Sequence, residues 1–144
     1  MIYLDFIDAI KKQDYFEQFI TRNTYHSNGI EGNTLSYADT YSIIFNDNSF
    51  KITAEPREIY EAINHKYALH RMIEAVSNHE ELSSALIIDL ATIINKNIMD
   101  ISGYRKTSVL IRGAEYVPPT AAEVPTAMMY YIYNYNNDNR ESVF

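Results

Sequence analysis

Two stretches of this sequence combine residue types that can do chemistry or recognition with a spacing that groups them. The first is Ser27-Asn28-Gly29-Ile30-Glu31-Gly32-Asn33-Thr34. A carboxylate four residues after a serine lies one helical turn away on the same face. Gly32 followed by Asn33 suits a left-handed helix cap. Glu31 is therefore expected at a helix end, near a polar neighbour, with a glycine that lets another backbone come close. On residue types alone this is a capped turn carrying an exposed glutamate. The second stretch, Lys106 to Val117, is rich in β-branched residues and has Gly113 for a turn, so 104–117 reads as a β-hairpin that Pro118-Pro119 ends. A two-stranded hairpin is marginal by itself. It serves as a structural connector or as a free edge that takes up another chain by strand addition, and spacing alone favours the connector.

The elements that must hold these stretches read as helices from apolar spacing and capping signals. Leu4, Ile7, Ile10, Tyr15, Phe16 and Phe19 predict one helix ending near Arg22. Ser36 with Asp39 three residues later caps a short helix through Phe45. Thr53 and Pro56 open a longer one, with Ile59, Ile63, Tyr67, His70 and Ile73 as its face. Ser83 or Ser84 caps the next, with Leu86, Leu90, Ile93, Ile94 and Met99 inside. Thr120 with Glu123 forms a capping box leading into Ala127 to Tyr135. The fold class is mainly α, a helical bundle with one β-hairpin. The chain reads as a single domain, 1–144, with helices over 1–50, core helices over 53–100, the hairpin at 104–117 and a following helix at 120–137.

Other residues of chemically capable types have plainer readings. His65 and His70 lie five apart on one helix, off the i,i+4 spacing of a zinc pair, and read as satisfied or surface histidines. Tyr130, Tyr131, Tyr133 and Tyr135 with Met128 and Met129 resemble an aromatic cage, but such a stripe is more often core. Glu55, Arg57, Glu58 and Glu61 read as a solvated helix face.

Composition narrows the function classes. The 144 residues, 47% of them hydrophobic, are enough for a buried core. A net charge of −7, with Lys11-Lys12 and Arg105-Lys106 as the adjacent basic pairs, argues against a nucleic-acid surface. With no cysteine there is no disulfide or thiol chemistry. The amphipathic start is no signal peptide, and no apolar run approaches the roughly 20 residues that cross a bilayer. A soluble cytoplasmic protein is expected, with no nucleic-acid or membrane partner.

Taken together, the two stretches resemble the Fic family of protein adenylyltransferases, and the resemblance spans most of the chain. Ser27 to Gly32 is similar to the family's inhibitory motif, a Ser or Thr, three residues, Glu, then Gly or Asn. The longer string through Leu35 looks like the form in which the inhibitory helix precedes the catalytic core. Gly103-Tyr104-Arg105, the hairpin, Val117-Pro118-Pro119 and Glu123-Val124-Pro125 are similar to the family's flap region.

The resemblance implies a Fic-like helical bundle and the transfer of AMP from ATP to a Ser, Thr or Tyr hydroxyl of a target protein. In that family a His-Pro-Phe-x-Asp-Gly-Asn-Gly-Arg-x-x-Arg motif supplies the general base, the Mg²⁺ ligand and the phosphate cradle. The inhibitory glutamate pairs with the motif's last arginine and denies the γ-phosphate its place. Carried over, Glu31 is that carboxylate, Ser27 orients the local contact and Gly32 closes the motif. Ser108, Val109, Leu110, Ile111, Arg112 and Gly113 form the docking flap that holds a target segment as an added strand, with Val109 and Ile111 touching target or nucleotide.

The departure from the family is that the catalytic motif does not occur in these residues. None of the four histidines, His26, His65, His70 and His79, precedes a proline. No catalytic residue and no metal ligand is assigned to this chain, and ATP and Mg²⁺ are expected on the complete enzyme. The resemblance thus implies an incomplete bundle, the regulatory and target-docking portion of a self-inhibited enzyme, inactive by itself. The apolar faces of the helices after Ser84 and Thr120 then need the Fic core or self-association to cover them. The alternative is a stand-alone module that supplies the glutamate in trans, as an antitoxin does, or binds an extended peptide.

Overall fold

The computed structural model describes residues 8, 12–46 and 52–138 of the chain. Among them the regular structure is helical: α1 Gln13–Ile30, α2 Tyr37–Phe45, α3 Pro56–Ser77, α4 Ser84–Ile94 and α5 Val124–Asn137. The protein is mainly α. Leu4, Ile7 and Ile10 of the predicted first helix lie outside the described residues.

Local chemistry explains where the helices start. Ser36 accepts the Asp39 N–H at 3.1 Å while the Asp39 carboxylate takes the Ser36 N–H at 3.3 Å, the reciprocal capping box expected from the sequence. Pro56 occupies the first turn of α3, where its missing N–H costs nothing. Glu55, rather than Thr53, is the N-cap residue. Ser83 accepts the Leu86 N–H at 3.1 Å at the start of α4. Before α5 the Glu123 carboxylate takes both the N–H and the hydroxyl of Thr120, at 2.9 and 2.8 Å.

α1 does not stop near Arg22 but runs on to Ile30. Asn23 and Thr24 did not end it, because tertiary packing outweighs their modest helix propensity. Thr24 is fully buried, and its hydroxyl meets His65 Nδ1 of α3 at 3.0 Å. Thr21 donates to the Glu17 carbonyl at 2.7 Å, so this second buried hydroxyl is satisfied within its own helix.

α1, α2 and α3 pack on one another around Ile20, Leu35, Ile43, Ile44, Ala62, Leu69 and Ile73. The face that α3 turns to this core matches the predicted one in part: Ile73 is buried and Ile59 and Ile63 pack against the core. Ala62 and Leu69 are buried beside them, whereas Tyr67 and His70 are exposed. Small residues let α3 approach its neighbours closely. Lys66 stretches its ammonium to the Ile44 carbonyl at the end of α2 and lies 5.1 Å from the Phe45 ring centre, a cation at the negative pole of a helix.

α4 packs on α3 and is oriented there by polar ties. The amide of buried Asn64 donates to the Ile94 and Lys96 carbonyls at 3.0 and 2.7 Å, capping the frayed end of α4. The Arg71 fork holds Glu80 through two bonds of 3.0 and 2.9 Å and Asp89 through one of 2.9 Å. α5 packs against α4, and Asn136 donates to the Leu82 carbonyl at 2.8 Å. No residue of α4 or α5 is buried. The expected burial of Ile94 and Met99 therefore fails, and Tyr130, Tyr131, Tyr133 and Tyr135 form an exposed stripe instead of core.

Candidate functional site

Glu31 sits at the end of α1, and the backbone there is fixed by two crossed hydrogen bonds. The Gly32 N–H donates to the Gly29 carbonyl at 3.1 Å, and the Asn33 N–H donates to the Asn28 carbonyl at 3.0 Å. This is a Schellman cap, and it requires the positive φ of +91° that Gly32 adopts. The left-handed cap expected from Gly32-Asn33 is therefore present. No heavy atom lies within 4 Å of where a Gly32 side chain would begin, so that side of the turn is open to an approaching group.

The carboxylate itself is exposed. Among the described residues it has neither hydrogen bond nor ion pair. Its position is electrostatically poor: it stands at the negative pole of α1, and the last turn of that helix holds no basic residue. Ser27, one turn earlier, is also exposed, and no hydrogen bond joins its hydroxyl to Glu31. A negative charge presented on a rigid cap with no cation of its own is suited to receive one from outside.

The turn is not held by its own hydrogen bonds alone. Asn33 accepts the Leu35 N–H at 3.0 Å through its side-chain oxygen and donates its amide to the Glu58 carbonyl at 3.2 Å and the Glu61 carboxylate at 2.9 Å. One Glu58 oxygen takes the Thr34 N–H at 2.6 Å and the Thr34 hydroxyl at 2.7 Å, and the other takes the Glu55 N–H at 3.3 Å. The Thr34 backbone N–H, then its hydroxyl, hold the Glu58 carboxyl below the ordinary carboxylate value. Glu58 and Glu61 are thus more than a solvated face, although the bonds to Thr34 remain exposed. They are the acceptors that an Asn-Thr pair leaving a helix needs, and two carboxylates three apart on one helix face were the available signal.

The second expected site lies at 104–117, where no strand forms. The turn is there: the Ala114 N–H donates to the Ile111 carbonyl at 3.1 Å, and Gly113 has φ +81°. The ladder is not, since both arms are solvated and no third strand covers them. Val109, Leu110 and Ile111 are exposed, Leu110 to 81%. Arg105 closes the base of the loop by donating to the Thr107 carbonyl at 2.9 Å and to the Pro119 carbonyl across from it. Ser108 adds a second tie, accepting the Ala121 N–H at 3.1 Å. Between the outgoing arm and α5 runs a groove of about 700 Å³, lined by Tyr116, Val117, Pro118, Thr126 and Tyr130 among others. Arg112 is exposed beside Gly113 at the tip.

No hydrogen bond links the Glu31 turn to 104–117 among the described residues. His65 and His70 remain apart from both. Burial pushes His65 below its ordinary value, and His70 packs against Phe16, ring centres 4.9 Å apart. No helix among the described residues is long and apolar enough to cross a membrane. No family model matches the chain, and no curated protein matches it significantly.

Proposed function

We propose that the chain is the regulatory and target-docking portion of a self-inhibited Fic-type protein adenylyltransferase, with Glu31 as the inhibitory carboxylate. The observation that carries this reading is the unpaired carboxylate on a rigid glycine cap at the negative end of α1. An arginine arriving from a catalytic core would relieve that electrostatic position and be withdrawn from the γ-phosphate of ATP. The open space beside Gly32 leaves room for it. In this reading ATP and Mg²⁺ belong to the His-Pro-Phe core, which these residues do not contain, and the chain alone transfers nothing. Ser27 lines the approach to Glu31.

The loop closed by Arg105 is the docking flap. Its exposed Val109, Leu110 and Ile111 offer an extended edge that becomes a hairpin when a target segment pairs with it, since each added strand supplies the partners that the arms lack. Cover for the α4 and α5 faces comes from the Fic core or from a second copy.

The test is AMP transfer from labelled ATP by the complete gene product. Glu31→Gly raises automodification by at least an order of magnitude if the freed arginine gains most of a charged hydrogen-bonded contact with phosphate, worth roughly 1.5–3 kcal/mol. Equal transfer by wild type and variant ends the inhibitory role. Absence of transfer by both ends the enzyme reading and leaves a module that supplies Glu31 in trans, to be assayed by adding the chain to a separate Fic core.

A further inference from the structure

The Glu31 cap is held from two directions, and the second needs an explanation. The Schellman bonds fix the turn relative to α1, but they say nothing about its bearing on the rest of the molecule. Packing of α1 on α3 through Ile20 and Thr24 sets that bearing in part. Beyond Thr24 the connector adds to it, where Asn33 and Thr34 together place four hydrogen bonds on α3. Three of the four end on carboxylate oxygens of Glu58 and Glu61. We propose that Glu58 and Glu61 form a carboxylate latch that fixes the direction in which Glu31 is presented, so that opening the latch swings Glu31 off its target. The consequence for inhibition rests on the reading of Glu31 given above.

Several features fit a latch better than a general packing contact. The hydrogen bonds of Thr34 are exposed, so they exclude no apolar surface. They join residues 24 apart in sequence, and the donors lie within three residues of Glu31. Glu58 also takes the Glu55 N–H at the start of α3, so one carboxylate connects the beginning of that helix to the end of α1. Glu61 is steadied by Arg57, 2.8 Å away. The charged groups around Glu58 on α3 are therefore Glu55, Glu61 and Arg57, while the connector contributes neutral donors and Glu31 stands beyond them. Glu58 is a positioning residue in this scheme, touching neither substrate nor nucleotide.

Two measurements test it. The first is amide exchange at Thr34 in the full chain. Glu58→Ala lowers Thr34 protection several-fold, whereas Glu58→Gln, which keeps an acceptor oxygen, retains most of it. Protection in wild type falls as pH drops below the ordinary carboxylate range and stays flat in the glutamine variant. Protection unaltered by Glu58→Ala overturns the latch whatever Glu31 does. The second is labelled-AMP transfer by the complete gene product. Glu58→Ala raises transfer several-fold in the presence of Glu31 and adds nothing once Glu31→Gly is introduced, with Glu58→Gln close to wild type. A merely structural defect lowers transfer in both backgrounds. If Glu31→Gly activates and Glu58→Ala does not, the latch is overturned and the inhibitory reading stands. If Glu31→Gly itself changes nothing, the inhibitory reading fails, and Thr34 exchange alone decides whether the latch exists.

Discussion

The stretch from α1 to α3 and the stretch from α4 to α5 solve the same problem differently. Every buried residue among those described, polar or apolar, falls between Ile20 and Ala75. The first stretch closes a core on itself, and even its buried threonines find partners. The second has comparable apolar content, with Ile87, Ile88, Leu90, Ile93 and Ile132, yet buries none of it fully. It packs on α3 and is oriented there by the polar bonds of Asn64 and the Arg71 fork, while Asn136 ties α5 back to Leu82 just before α4. Apolar burial stabilises a unit by itself, whereas polar ties mainly fix geometry. The difference separates a stretch that closes its own core from one whose apolar side chains stay partly exposed.

The largest expected effect that would break this contrast is on stability. Ile44→Ala, at a position 3% exposed, costs about 2–5 kcal/mol in urea unfolding. Tyr133→Ser, at a position 64% exposed, stays within about 0.5 kcal/mol. Equal losses at the two sites would show that the tyrosine stripe belongs to the core after all.

A smaller effect comes from the cap. Gly32→Ala forces a side chain into the left-handed region and costs roughly 1–2 kcal/mol. Because the space around it is open, the loss is conformational rather than steric, and Gly32→Asn, which tolerates that region, recovers part of it. A fully tolerated alanine would mean that the turn relaxes without strain.

The smallest effect is on pH dependence, and it sharpens the same contrast. His65 and His70, both on α3, are held below their ordinary value of 6.5, His65 by burial and the half-covered His70 by its desolvated side and then Lys66. Their neutral forms are favoured in the fold. The stability they contribute is complete above about pH 6.5 and is lost as pH falls through the depressed folded values. Thermal melts from about pH 7 down to about pH 5 therefore shift downward, and His65→Gln removes part of the shift. A pH shift of the same size in His65→Gln would place the titration elsewhere.

The sequence made the helix boundaries legible wherever a cap was written into it. Ser36 with Asp39, Pro56, Ser83 and Gly32 each act through backbone groups within four residues, so local spacing suffices. Thr120 and Glu123 bond to each other as expected, but the helix starts only at Val124. Which face of a helix is buried is a different question, because it depends on what else is present. On α3 the predicted Ile59, Ile63 and Ile73 do face the core, but Tyr67 and His70 do not, and Ala62 and Leu69 complete that face. The stripe on α5 was apolar enough for a core, but nothing described lies over it. At the candidate site the cap of Glu31 was legible. The Glu58–Glu61 latch was not, because charges on a helix look alike until the chain that satisfies them is placed. The hairpin was half legible: Gly113 marks the turn, while a ladder depends on neighbours that periodicity cannot report.

The Arg105 staple has one more consequence. The carbonyls it joins lie either side of the loop, and the bond to Pro119 spans 14 residues of chain. Bringing two such points together costs chain entropy that grows slowly with length, and folding has already met that cost. On the docking-flap proposal, a peptide arriving at Leu110 or Ile111 meets arms whose ends are already fixed, so it has only the tip left to order. Cutting the staple would leave every contact residue in place and still weaken capture, because the ligand would then have to close the loop as well as fill it.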